Sequence, residues 1–165
     1  MPAANQAFTE ELTDTYTYEA YPLGTLRYES PDEVFRANNT HFGERTWVFV
    51  FNDEASTAFA QGDLVALDAD YAPFHGIVSG IGALMKRRVL GVAGHAIAAG
   101  SYGWIVCHGI CEGKGDGSVA QGEAIVSHTS GQVDTMGTSE EPSIIGMALE
   151  NDGSAGDLFT IYLDL

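Results

Sequence analysis

Long apolar runs, basic residues and cysteines are all scarce in this chain. No segment carries the roughly 18 consecutive apolar residues that a membrane-spanning helix needs. Lysine and arginine number 7 against 23 aspartates and glutamates, for a formal net charge of −16. Like charge repels a nucleic-acid backbone and an anionic membrane surface, so neither is an expected partner. Cys107 and Cys111 are too few for a disulfide framework. The opening residues have no basic stretch followed by an apolar one, so no secretory signal is expected.

Glycine and hydrophobic residues are what the chain does have. Hydrophobic residues make up 45% of the 165, enough for a core in one domain and too short a chain for two. Twenty glycines with few charges point to many turns between short strands. One cadence recurs: "AQGDLVALD" from Ala60, "AAGSYGWIVCH" from Ala98, "AQGEAIVSH" from Ala120 and "SAGDLFTIYLDL" from Ser154. Each reads small residue, glycine, a short polar or small step, then an apolar run. Glycine accepts positive φ, so each copy predicts a tight turn feeding a strand. A longer likeness joins "VLGVAGHAIAAGSYGWIV" to "IIGMALENDGSAGDLFTI", one β-hairpin plan used twice.

"TWVFVFND" places Trp47, Phe49 and Phe51 on one face and Val48 and Val50 on the other, which predicts a strand inside a sheet. Residues 1–24 are acidic and spotted with Tyr16, Tyr18 and Tyr21; "TEELTDTYTYEAYPLG" fits a short strand or an extended arm, and the arm is the expected form because its rings need a surface to pack on. Ser30 with Glu33 fits a capping box, and strand–turn–strand fits the same stretch, so both readings stand there. The expected fold is all-β: a small antiparallel barrel or sandwich over residues 25–165, with room for one short helix, behind the arm at 1–24.

Reactive constellations are weak. Cys107, His108 and Cys111 offer one thiol pair where a zinc site wants four ligands, and on a strand Cys107 and His108 point to opposite faces. "GKGDGS" lacks both the ending of a phosphate loop and the spaced acids of a calcium loop. No catalytic residue, metal or cofactor is expected. "MKRR" concentrates Lys86, Arg87 and Arg88, a positive spot suited to an acidic partner or a neighbouring copy. Tyr102 and Trp104 share a strand face and suit either core or interface.

The strings Leu90 to Ala93, Ala98 to Trp104 and Ile145 to Ala148, with "PLGTLRY" and "FAQGDLVALD" upstream, resemble small β-rich decoration (cement) proteins of tailed-bacteriophage capsids, over roughly residues 22–165. The resemblance implies a non-enzymatic homotrimer on the outer surface of the virion, bound to the major capsid protein and clamping its neighbours. Contact residues expected on that reading are Tyr16, Tyr18, Tyr21, Lys86, Arg87, Arg88, Tyr102 and Trp104. Another virion part, such as a head-fibre base or a tail-associated β-module, is the alternative, and a Cys/His metal protein a more distant one.

Overall fold

The computed structural model describes residues 11–33, 42–78, 82, 86–138 and 143–165. Among the described residues the strands are β1 (Thr15–Tyr16), β2 (Leu26–Glu29), β3 (Arg45–Asn52), β4 (Leu64–Leu67), β5 (His75–Ile77), β6 (Val89–Ala93), β7 (Tyr102–Lys114), β8 (Ala124–Ser127), β9 (Val133–Thr135), β10 (Gly146–Ala148) and β11 (Leu158–Asp164). Single 3-10 turns occupy Lys86–Arg88 and Thr129–Gly131. The capping box at Ser30 forms: the Ser30 amide donates to Glu33 Oε2 at 2.8 Å, and residues 31–33 make a helical turn. The stretch "GIGALMKRR", where the expected short helix would fit, lies partly outside the described residues, and its last three residues form the first of those 3-10 turns.

The expected all-β class holds. The strands form one sheet in the order β2-β3-β5-β4-β6-β7-β11-β10-β8-β9, with β1 and β3 also on β7. The wholly antiparallel arrangement is corrected to a mixed one: Phe51 and Asn52 of β3 run parallel to His75 and Gly76 of β5. Two neighbouring strands can run parallel only when the chain crosses back between them, and here β4 makes that crossing.

That order reads the same outward from the central β7–β11 pair: β5-β4-β6-β7 on one side, β9-β8-β10-β11 on the other. The hairpin repeat is thus part of a larger one, a four-strand unit present twice and related by a pseudo-two-fold through the antiparallel β7–β11 ladder. Hydrogen bonds match bond for bond. The Gly62 amide donates to Ala93 O at 2.8 Å and the Gly122 amide to Ala148 O at 2.9 Å. The Ala93 amide donates to Asp63 O, and the Ala148 amide to Glu123 O, both at 2.9 Å.

Each repeated tripeptide is the corner of a four-residue turn. Asp63, Ser101, Glu123 and Asp157 donate their amides to the carbonyls of Ala60, Ala98, Ala120 and Ser154. The third residue is glycine at φ between 72° and 88° in all four, the positive φ of a type II turn. An acid closes two of them: Asp63 Oδ2 accepts from the Ala60 amide at 2.7 Å, and Glu123 Oε2 from the Ala120 amide at 2.8 Å. Gly91 and Gly146 mark a second shared demand. A Cβ on Gly91 would lie 2.3 Å from Val106 O, and one on Gly146 1.9 Å from Tyr162 O. The partner strand passes too close for any side chain there.

The pairings also close on themselves. In the first unit they run β3-β5-β4-β6-β7 and back to β3. Inside that circuit lie Val48, Val50, Phe59, Val65, Ala93, Ile97 and Ile105, all buried. In the second unit Gly115, just past β7, makes a parallel bridge to Val133 of β9 and takes the place of β3. The other face of β3 packs Trp47 and Phe49 into a larger cluster with Trp104, Phe159, Ile161 and Leu163. Both faces of β3 are therefore apolar because each serves a separate core.

Candidate functional site

The segment preceding β2 is tied to its own chain over its described residues. Thr15 and Tyr16 pair with Gly103 and Tyr102. Tyr16 and Tyr21 set their rings against Phe49 at centroid distances of 5.9 and 5.3 Å, and Tyr21 also meets Trp104 at 5.3 Å. Edge-on ring pairs of this kind are worth about 0.5–1.5 kcal/mol each beyond buried area. Tyr18 stands 65% exposed beside them. Of the aromatic pair on β7, Tyr102 is half-buried and stacked on Phe49, while Trp104 is fully buried in the core. Trp104 therefore packs inward and presents nothing to a neighbour.

The positive spot divides in the same way. Arg88 is held internally, with its guanidinium 4.9 Å from the Tyr71 ring centre and a hydrogen bond to Leu67 O at 3.4 Å. Lys86 makes a long, exposed ion pair with Asp164 at 3.6 Å. Arg87 is exposed and has no hydrogen bond or ion pair among the described residues. Other cations serve the fold: Arg45 meets buried Glu29 at 2.9 Å, and Lys114 meets buried Asp63 at 2.6 Å. Glu29 Oε2 also accepts from Trp47 Nε1 at 2.8 Å, a further hydrogen bond that a buried ion pair needs.

Lys86 and Arg87 line a groove of about 750 Å³ whose remaining walls are Leu26, Val48, Phe74, Val89, Leu90, Cys107 and Leu165. Leu26 is 61% exposed on the open face of β2. Phe74 and nearby Tyr71 hold positive φ, 60° and 54°, in the loop between β4 and β5. Such backbone costs roughly 1–3 kcal/mol per residue and persists where surroundings impose it. Sequence reasoning found the cations and missed the walls. Those walls come from β2, β3, β6, β7 and the chain end, and only the fold brings them together.

The sulfur atoms do not converge. Gly109, at φ 106°, kinks β7 between the two cysteines, so Cys107 packs on the core inside the first circuit and Cys111 on the larger cluster. Burial pushes the Cys107 thiol up to about 11 and the Cys111 thiol to about 12. Neither is a thiolate near neutrality, the form that attacks substrates and binds metals. His108 turns instead toward Asp164, at 3.6 Å. At the far end of the β7–β11 ladder Asp116, His128 and Asp134 bring metal-type donors together.

The fold is similar to that of the N-terminal base of the head fiber protein gp8.5 of bacteriophage phi29, with a TM-score of 0.53 at 11% identity over 72% of this chain and 92% of that one. No match is found among curated proteins. A family model described as phage cement protein matches residues 70–165. That match takes in the cationic side of the groove and both units from β5 onward, and on it the chain belongs to the phage cement protein family.

Proposed function

We propose that this chain is a structural protein of the phage virion, a decoration protein that docks on the outer surface of the capsid and holds neighbouring major capsid subunits together. The observation that carries this reading is the groove. On a chain of net charge −16, Arg87, which has no internal partner among the described residues, and Lys86, held only by a long exposed pair with Asp164, stand at the edge of an open apolar trough. Apolar walls give affinity through buried area, and a cationic rim selects an acidic partner surface and speeds encounter. Self-association as a homotrimer multiplies each such contact by symmetry, so weak contacts suffice. Residues 1–24 act as an arm, with exposed Tyr18 as its contact ring. The closed circuits act as two small barrels, stiff enough to carry load between subunits. Neither nucleic acid nor membrane is a partner, and no catalysis is involved.

Co-sedimentation of the full chain with expanded capsids tests this. Wild type binds, and Lys86→Glu with Arg87→Glu weakens binding at least about tenfold while the far-ultraviolet spectrum is unchanged. Unaltered binding by that variant overturns the groove as the contact. Light scattering after gel filtration reads the trimer directly. A second reading, the base of a head fibre, is favoured by the fold shared with the phi29 head fiber base. Labelling on virions separates the two: decoration marks the whole head lattice, and a fibre base marks isolated positions.

A further inference from the structure

Asp116, His128 and Asp134 lie on three separate pieces of backbone, and one donor atom from each falls within 4.8 Å of the others. A divalent ion bonds such donors at about 2.0–2.4 Å, so ligands of one ion stand no more than about 4.8 Å apart. All three side chains are half-buried. Their backbone is fixed by the sheet. The Asp116 amide donates to Val133 O at 3.1 Å, the His128 amide to Gln132 O at 2.8 Å, and Asp134 pairs with Val126 across β8 and β9.

The donors point to an ion because no cation meets them among the described residues. Ser118 Oγ donates to Asp116 Oδ1 at 2.7 Å and lies 3.3 Å from Asp134 Oδ1. The amides of Ser118 and Thr135 donate to the same two oxygens at 2.9 and 2.6 Å, and these neutral donors do not balance two negative charges. The second oxygen of each accepts no hydrogen bond among the described residues, nor does His128 Nε2 have a partner there; its Nδ1 lies 3.4 Å from Thr129 Oγ1. A third carboxylate bears on the same loop. Asp152 is nine-tenths buried, its Oδ2 accepts from the Gly117 amide at 2.5 Å, and its Oδ1 has no partner.

The first unit supplies an internal control. Asp53 occupies the place of Asp116, since its amide donates to Gly76 O at 2.9 Å as that of Asp116 does to Val133 O. Its carboxylate is already paired, with His75 Nδ1 at 3.1 Å. Ile77 stands where Asp134 does, each pairing with the third residue of β4 or β8. Asp68 stands where His128 does, its amide donating to His75 O. The same backbone thus carries a carboxylate paired with a histidine in one unit and, in the other, two carboxylates and an imidazole with no cation beside them among the described residues.

We infer that Asp116, His128 and Asp134 form a binding site for a divalent ion of borderline character, such as Mn²⁺ or Zn²⁺, which staples the Gly-rich loop after β7 to the β8–β9 hairpin. Two carboxylates suit hard ions and imidazole suits transition metals, and only borderline ions favour both. Open positions remain for water or for a group from a neighbouring molecule.

The test uses full-length chain freed of metal by chelator. Mn²⁺ titration followed by electron paramagnetic resonance, and Zn²⁺ titration by calorimetry, are expected to show one site per chain. Bound metal is expected to raise Tm by several degrees. Asp116→Asn with Asp134→Asn is expected to weaken binding by more than the roughly tenfold typical of an outer-shell change. His128→Gln weakens Zn²⁺ binding without altering the metal-free Tm, and covers the case where the double variant does not fold. Asp53→Asn leaves binding unchanged. Absence of binding by both ions overturns the inference, as does binding that survives His128→Gln or the double variant. Binding by Ca²⁺ alone, indifferent to His128→Gln, overturns it as well.

Discussion

The unit built from β4 to β7 and the unit built from β8 to β11 share turns, pairings and glycine positions, yet their polar side chains have parted. In the first, the amide of Asn52 donates to Thr57 O at 3.0 Å and Ile97 O at 2.8 Å, and its Oδ1 accepts from the Glu54 amide. In the second, Gly115 holds the place of Asn52, and the carboxylate of Asp152 fills the missing side chain's space: a Cβ on Gly115 would lie 1.9 Å from Asp152 Oδ2. Oδ2 repeats the acceptor role toward the Gly117 amide, but Oδ1 cannot donate and stands unpartnered. Backbone geometry is the part of the plan that both units must keep. Side chains are held only by their own neighbours and are free to diverge, into a carboxylate paired with His75 in one unit and an acidic loop in the other.

The largest expected effect tests whether the units are equivalent at all. Gly91→Ala and Gly146→Ala each force a Cβ onto a partner carbonyl and should each cost about 3 kcal/mol or more, read by urea unfolding. A neutral result at either position would show that the two glycines do different jobs. Next come the corners. Gly122→Ala has open space and pays only for positive φ, about 1–2 kcal/mol. Gly62→Ala meets Leu158 at 2.3 Å and the Lys114 amide nitrogen at 3.2 Å as well, and should cost clearly more. Equal losses would mean that the packing around the first corner gives way freely.

Exchanging the amide and the carboxylate sharpens the same contrast. Asn52→Asp removes the donor to Ile97 O, in the core, and to Thr57 O, and should destabilise by about 1–3 kcal/mol, while Asp152→Asn should raise Tm by removing a buried charge that has no cationic partner among the described residues. A fall in Tm for Asp152→Asn would show that the carboxylate has a cationic partner in solution. The smallest effect concerns pH. Both ring nitrogens of His95, in the turn between β6 and β7, are buried without partners, and burial holds its pKa below the ordinary value although Asp14 pulls the other way. The unfolded chain therefore takes up the proton first, so stability is complete above about pH 6.5 and declines as pH falls below it. His95→Gln should flatten that decline in Tm between pH 7 and 5, and an unchanged slope would assign the acid sensitivity elsewhere.

Much of this plan could be read before folding. The Ala-Gly corners, the paired hairpins, the two-faced strand from Trp47 to Phe51 and the capping box at Ser30 all follow from local chemistry. The wider duplication was hidden because β5 and β9 share no residues: "HGI" and "VDT" match only in what they pair with. Asp116, His128 and Asp134 likewise have no metal-site spacing, since three separate segments set their approach. "MKRR" was visible as a charge cluster, but which of its cations remained available depended on Tyr71, Leu67 and Asp164.

By itself the order of residues determined where the chain turns and which runs extend, because glycine φ preferences and alternating apolar side chains act over a few residues. It determined the acidic exterior as well, since composition alone sets net charge. Only the tertiary structure decided that β3 would run parallel to β5, that the unit would be doubled about the β7–β11 ladder, and that groove and donor cluster would form. Those features depend on segments far apart in sequence meeting in space, and no local preference encodes that meeting.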